Sequence, residues 1–237
     1  MLGFSHTFFR VKKEAAVNKI FFWIVTVILL IYPLAGFGAP SPQEVMARVQ
    51  AQYDQAGSFK ARFRQESRLK AVNQADVAEG WMYFQKPCRM RWQYESPQEQ
   101  KKEIVSDGRQ VWMYMPQDSL VMIYQLNQVL RSDLVMRFFS GMGQFRQDFN
   151  LAFSRPPQER APLVIDLFPL KEQPELTRLT LTINPVTYLV DRLEFTNALG
   201  EETRFVFSQS QFDLRLKPDF FTFVPPPGVQ VVKEPPG

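Results

Sequence analysis

From Phe59 onward the chain alternates between apolar and polar residues, and this period of two constrains its fold more than any other feature. Phe59, Ala61 and Phe63 alternate with Lys60, Arg62 and Arg64, and Met90, Trp92 and Tyr94 alternate with Arg89, Arg91, Gln93 and Glu95. Leu179, Leu181 and Ile183 alternate in the same way with Arg178, Thr180 and Thr182. Successive side chains of a strand point to opposite faces, so each segment offers one apolar and one solvated face. Antiparallel sheets that cover something on a single side show this pattern. Further strands are expected near 78–85, 101–106, 110–115, 120–126, 145–153, 163–169, 188–197 and 202–212. Ser106-Asp107-Gly108, Met115-Pro116-Gln117-Asp118, Asn184-Pro185 and the stretch 197–200 supply the turns between them. About eleven strands follow, with no internal repeat and no linker.

Two segments have helical spacing instead. Residues 41–55 open with Ser41 as cap, Pro42 in the first turn and Glu44 three residues after the cap. Val45, Val49 and the pair Gln52-Tyr53 recur on one stripe, and Gly57 ends the helix. Residues 132–140 carry Leu134, Val135, Phe138 and Phe139 at helical spacing, open on Ser132-Asp133 and run into Gly141-Met142-Gly143. A short, very apolar helix between glycines and strands is either core packing or a lid over the open side of a curved sheet. The C-terminal stretch, with Pro225-Pro226-Pro227-Gly228 before a last apolar run at 229–232, is expected to trail along an edge or into solvent.

The first 38 residues have the layout of a cleaved secretory signal. Arg10, Lys12, Lys13 and Lys19 precede an apolar run over 20–32 and the small-residue stretch Ala35-Gly36-Phe37-Gly38-Ala39. A run of that length is short for the roughly 30 Å of a bilayer core. Cleavage is expected after Gly38, because cutting after Ala39 would put Pro40 at the new N-terminus. Residues 39–237 then form a single soluble domain in the periplasm. Four of the 28 basic and one of the 24 acidic residues lie in the leader, leaving 24 against 23. So even a balance makes no electrostatic case for nucleic acid.

The only histidine, His6, lies in the leader, which removes Ser-His-Asp and Cys-His catalysis and histidine-ligated metals from the mature chain. No Asp/Glu group stands in a cleft-forming frame. No enzyme activity, cofactor or metal is expected. The one cysteine, Cys88, has no partner for an internal disulfide and reads as a small, half-buried turn residue.

What the mature chain has in abundance is large, soft apolar side chains. Met82, Met90, Met113, Met115, Met122 and Met136 lie on expected strands or on the glycine-flanked helix. Methionine fills irregular space and repacks readily, which suits a pocket for chains of variable shape. Each methylene taken out of water contributes about 0.8 kcal/mol, so an acyl chain needs such a surface to cross an aqueous compartment. A lid that occupies the pocket in the absence of ligand competes with it and gives release a physical basis.

Phe59-Lys60-Ala61-Arg62-Phe63-Arg64-Gln65, Gly80-Trp81-Met82-Tyr83-Phe84-Gln85-Lys86-Pro87, Arg91-Trp92, Val105-Ser106-Asp107-Gly108 and Val111-Trp112-Met113-Tyr114 resemble the outer-membrane lipoprotein carrier protein family, LolA. The ending Phe221-Thr222-Phe223-Val224-Pro225-Pro226-Pro227-Gly228-Val229 is similar as well, so the resemblance spans the mature chain. It implies an α+β fold: an incomplete, half-closed antiparallel β-barrel with helices over a hydrophobic cavity. It also implies a monomer that takes acylated lipoproteins from an inner-membrane lipoprotein-releasing ABC transporter complex and delivers them to an outer-membrane lipoprotein receptor. Phe63, Trp81, Met90, Trp92, Tyr94, Met113, Leu134, Val135, Phe138 and Phe139 are the expected cavity residues. Lys86 stands where the family has a basic residue that latches the lid through its backbone, and Cys88 stands where a glycine or other turn residue is expected. An envelope-stress sensor of the RseB type, or a glycolipid carrier on the same fold, is the alternative; a receptor of the LolB type would need a lipidated cysteine at the cleavage site.

Overall fold

A computed structural model describes residues 39–69, 74–132, 148–172 and 174–233. The expected leader, and Leu134, Val135, Phe138 and Phe139 with the rest of their helix, lie outside the described residues. Pro40–Gly237 forms one compact unit.

The N-terminal helix α1 spans Pro42–Gln55. Ser41 caps it: its hydroxyl accepts from the Glu44 N–H at 3.2 Å, and the Glu44 carboxylate accepts from the Ser41 N–H at 2.7 Å. Val45, Met46, Val49 and Tyr53 form the buried stripe, so Met46 rather than Gln52 completes it, and Ala56 rather than Gly57 closes the helix.

Twelve strands follow: β1 (Ser58–Leu69), β2 (Gln74–Gln85), β3 (Arg89–Ser96), β4 (Lys102–Asp107), β5 (Gln110–Met115), β6 (Leu120–Gln125), β7 (Phe149–Phe153), β8 (Leu163–Pro169), β9 (Arg178–Ile183), β10 (Val190–Thr196), β11 (Glu202–Phe212) and β12 (Gln230–Lys233). They make one sheet in the order β12-β6-β5-β4-β3-β2-β1-β11-β10-β9-β8-β7. Two meanders, β1 to β6 and β7 to β11, are joined through the β1–β11 pair. The turns form where side-chain oxygens hold backbone donors. Asp107 accepts from the N–H groups of Arg109 and Gln110, Asn184 from those of Val186 and Thr187, and Asn197 from those of Leu199 and Glu201.

The structure corrects the expected fold in three places. Among the described residues there are twelve strands in an open, mixed sheet, not about eleven in an antiparallel one, because Gln230–Lys233 adds a parallel strand beside β6. Residues Leu126–Ser132 form a second helix, α2, and the strand before it stops at Gln125. The outer face of β3 to β6 is also covered rather than solvated. The segment after β11 crosses it, with Phe220 edge-on to Tyr83 at 4.9 Å and its carbonyl accepting from Arg91 at 2.6 Å. Phe223 lies against Tyr114, and Phe221, Val105, Val121 and Ile123 are buried there.

On the other face, which holds the core, α1 is pinned to β10. A register shift between Val190 and Arg192 leaves the Val190 N–H off the ladder, and the Tyr53 hydroxyl accepts it at 3.2 Å. Burial holds the Tyr53 phenol well above its usual pKa. A Tyr53→Phe chain is expected to lose about 1–3 kcal/mol in urea unfolding, because the buried Val190 donor is left without that acceptor.

Candidate functional site

Register alone builds the inner face. Ala61, Met82, Trp92, Ile104, Met113 and Met122 pair in sequence across β1 to β6, an unbroken apolar row six strands wide. Beyond β1 it continues through Phe63–Phe207 and through Phe205, Leu193, Leu181, Ile165 and Phe153 on β11 to β7. Trp92 sits at the centre, with the rings of Phe63, Phe205 and Phe84 at 5.0, 5.8 and 6.1 Å. Met113 and Tyr124 on the β5–β6 flank are half-buried against this core.

Polarity rises along the strands. At the β2–β3 turn the face is formed by the paired Phe59, Phe84 and Met90. At the opposite end come the pairs Gln65–Ala78, Ser67–Asp76 and Tyr94–Lys102. There the Tyr94 hydroxyl donates to Gln65 at 2.9 Å, and Gln65 donates to Ser67 at 3.1 Å. The Lys102 ammonium lies 4.3 Å from the Tyr94 ring centroid, with burial lowering its pKa. A cleft of about 300 Å³ opens at this end, lined by Gln65, Ser67, Asp76, Lys102 and Met115 among others.

Of the expected cavity residues, Phe63, Met90, Trp92, Tyr94 and Met113 stand on this face. Trp81 does not, and its placement is a correction. It pairs with Arg62 and Gln93 on the outer face, where the Lys60 ammonium and Arg62 guanidinium lie 5.1 and 5.9 Å from its ring. Its neighbour Met82 points inward instead. Met82, read in the sequence only as one of the soft methionines, and Phe84, Ile104, Phe205 and Phe207, not expected as cavity residues, also stand on this face; alternation pairs Met82 with Phe84, but the face itself follows from the register between strands.

Lys86 stands in the β2–β3 turn and donates from its ammonium to the Asp54 carbonyl in the last turn of α1, a turn with no basic residue of its own. Cys88 in the same turn has φ of 56°, the left-handed region that a glycine would occupy without strain. Burial raises its thiol pKa, in keeping with a packing role.

A family model described as outer membrane lipoprotein carrier protein LolA matches residues 54–224. An outer-membrane lipoprotein carrier protein from Nitrosomonas europaea is 29% identical over 181 residues, covering 76% of this chain and 85% of the relative. One from Legionella pneumophila is 28% identical over 222 residues, covering 92% and 100%. An uncharacterized conserved protein from Thermus thermophilus superposes with a TM-score of 0.53 at 13% identity, over 81% of this chain and 98% of that one, a likeness of fold alone. Fold and family together define a transport protein, not an enzyme. The chain belongs to the LolA family of outer-membrane lipoprotein carrier proteins, whose carriers are periplasmic. Among the described residues no helix is long and apolar enough to cross a membrane.

Proposed function

We propose that residues 39–237, freed of a leader ending at Gly38, act in the periplasm as a monomeric carrier for acylated lipoproteins. The inner face takes the acyl chains of lipoproteins released by an inner-membrane ABC transporter complex and surrenders them to an outer-membrane receptor. The unbroken row from Ala61 to Met122 carries this reading. Burying a chain of some sixteen carbons contributes on the order of 10 kcal/mol, so a face of this breadth offsets the chain's exposure to water. Register shifts put an extra residue into β3, β10 and β11, which bends those strands and favours a sheet curled into an incomplete barrel around the cargo.

In this scheme α1 covers part of the face, and Lys86 holds its last turn. Cargo must displace that cover, so the lysine sets part of the cost of opening. Replacing Lys86 by methionine removes one exposed, charge-assisted bond of about 1 kcal/mol. The expected result is roughly fivefold tighter cargo retention and faster amide exchange at 52–55; unchanged exchange would remove Lys86 from the latch.

The direct test is native mass spectrometry of the protein purified from a periplasm that also contains a lipoprotein-releasing complex. Co-purified mass matching a triacylated lipoprotein supports the carrier. Protein that emerges without cargo there sinks it and moves the weight to an envelope-stress sensor; a lipid mass without polypeptide would make it a glycolipid carrier.

A further inference from the structure

At the centre of the apolar row stands a polar atom with nothing to bond. Trp92 is 2% exposed, and its Nε1–H is buried without a hydrogen-bond partner. Phe63, Phe84, Tyr94 and Phe205 surround the indole with ring faces and edges. The hydroxyl of Tyr94 is turned to Gln65. Buried donors in native proteins are nearly always paired, and leaving one unpaired carries the full desolvation penalty. A purely hydrocarbon-binding face has no use for that N–H, since phenylalanine would fill the row without it.

We propose that Trp92 Nε1–H is a cargo donor, reserved for the carbonyl oxygen of an ester- or amide-linked acyl chain. The inference rests on the carrier reading and deepens it: the face recognises the acyl linkage as well as the hydrocarbon. The polarity gradient fixes the orientation. With a carbonyl at Trp92, the methylene tail runs toward Phe84 and Met90. The glycerol or peptide end leaves through the cleft at Gln65, Ser67 and Lys102. Met82 and Ile104 flank the indole in the row, and neither accepts its N–H: isoleucine has no acceptor and the weakly accepting Met82 sulfur is not bonded to it.

Two probes isolate this bond: dioctanoylglycerol, which has ester carbonyls, and dioctylglycerol, its ether analogue of equal chain length. Titration calorimetry on the wild-type chain is expected to give about tenfold tighter binding of the ester, as one extra hydrogen bond in an apolar site predicts. Trp92→Phe should bind the two alike, at the wild-type ether level. The indole N–H resonance that disappears in that variant should move downfield in wild-type protein with ester and stay in place with ether. Equal wild-type affinities for ester and ether overturn the donor while leaving the carrier intact. Binding of neither overturns both. The wild-type comparison decides the matter even if the variant folds poorly.

Discussion

A Gly80→Ala chain is expected to unfold at a far lower urea concentration than the wild type, with a loss on the order of 3 kcal/mol or more. Gly80 faces inward on β2 opposite Tyr94, beside a register shift at Glu79. A Cβ built there lies 1.8 Å from the Gln93 carbonyl oxygen and 3.1 Å from the Phe63 ring. The first contact is with backbone held in the β2–β3 ladder, so relief requires strands to part and not merely a rotamer to change. Gly57→Ala serves as control, since its Cβ would meet only the Asp213 carboxylate at 3.9 Å, an ordinary contact. Equilibrium unfolding of both variants decides; a Gly80→Ala chain within 0.5 kcal/mol of wild type, roughly the scatter of neutral substitutions, would mean that the approach of β2 to β3 is not needed.

The same local geometry shows what was legible in the sequence and what was not. The capping box at Ser41 and Glu44 and the turns at Asp107, Asn184 and Asn197 depend on chemistry within a few residues, and all formed as read. Alternation gave the strands and placed Phe63, Met90, Trp92 and Tyr94 on one face. Trp81 was misplaced: one residue from Met82 on the same strand, it must face the other way. The two-sided burial of β4 and the apolar outer face of β6 had a signal, the adjacent apolar pair Ile104-Val105 and the run from Val121 to Ile123, which depart from strict alternation. What covers that outer face depends on the segment after β11 crossing back over strands more than a hundred residues earlier, and no local pattern announces such a contact. The same is true of β12, whose four exposed residues contribute no core side chain.

Which face carries the cargo is settled by a pair of glutamates. Met113→Glu puts a carboxylate into the inner row between Ile104 and Met122, at a half-buried site on the flank where the chain has the best prospect of staying folded. The charge must then be desolvated against an acyl chain, and binding of dioctanoylglycerol or of lipoprotein is expected to fall about 100-fold at pH 8. An apolar environment raises a carboxyl pKa, so the protonated acid is favoured as pH drops. The defect should therefore shrink between pH 8 and pH 5, whereas a misfolded chain would not recover. Trp81→Glu introduces the same charge on the outer face, beside the Lys60 and Arg62 cations. There it loses two cation–π contacts and gains two ion pairs at the surface, and binding should remain within about twofold of wild type. If instead Trp81→Glu abolished binding and Met113→Glu did not, the cargo would lie against the outer face, and the orientation inferred from Trp92 would fall with it.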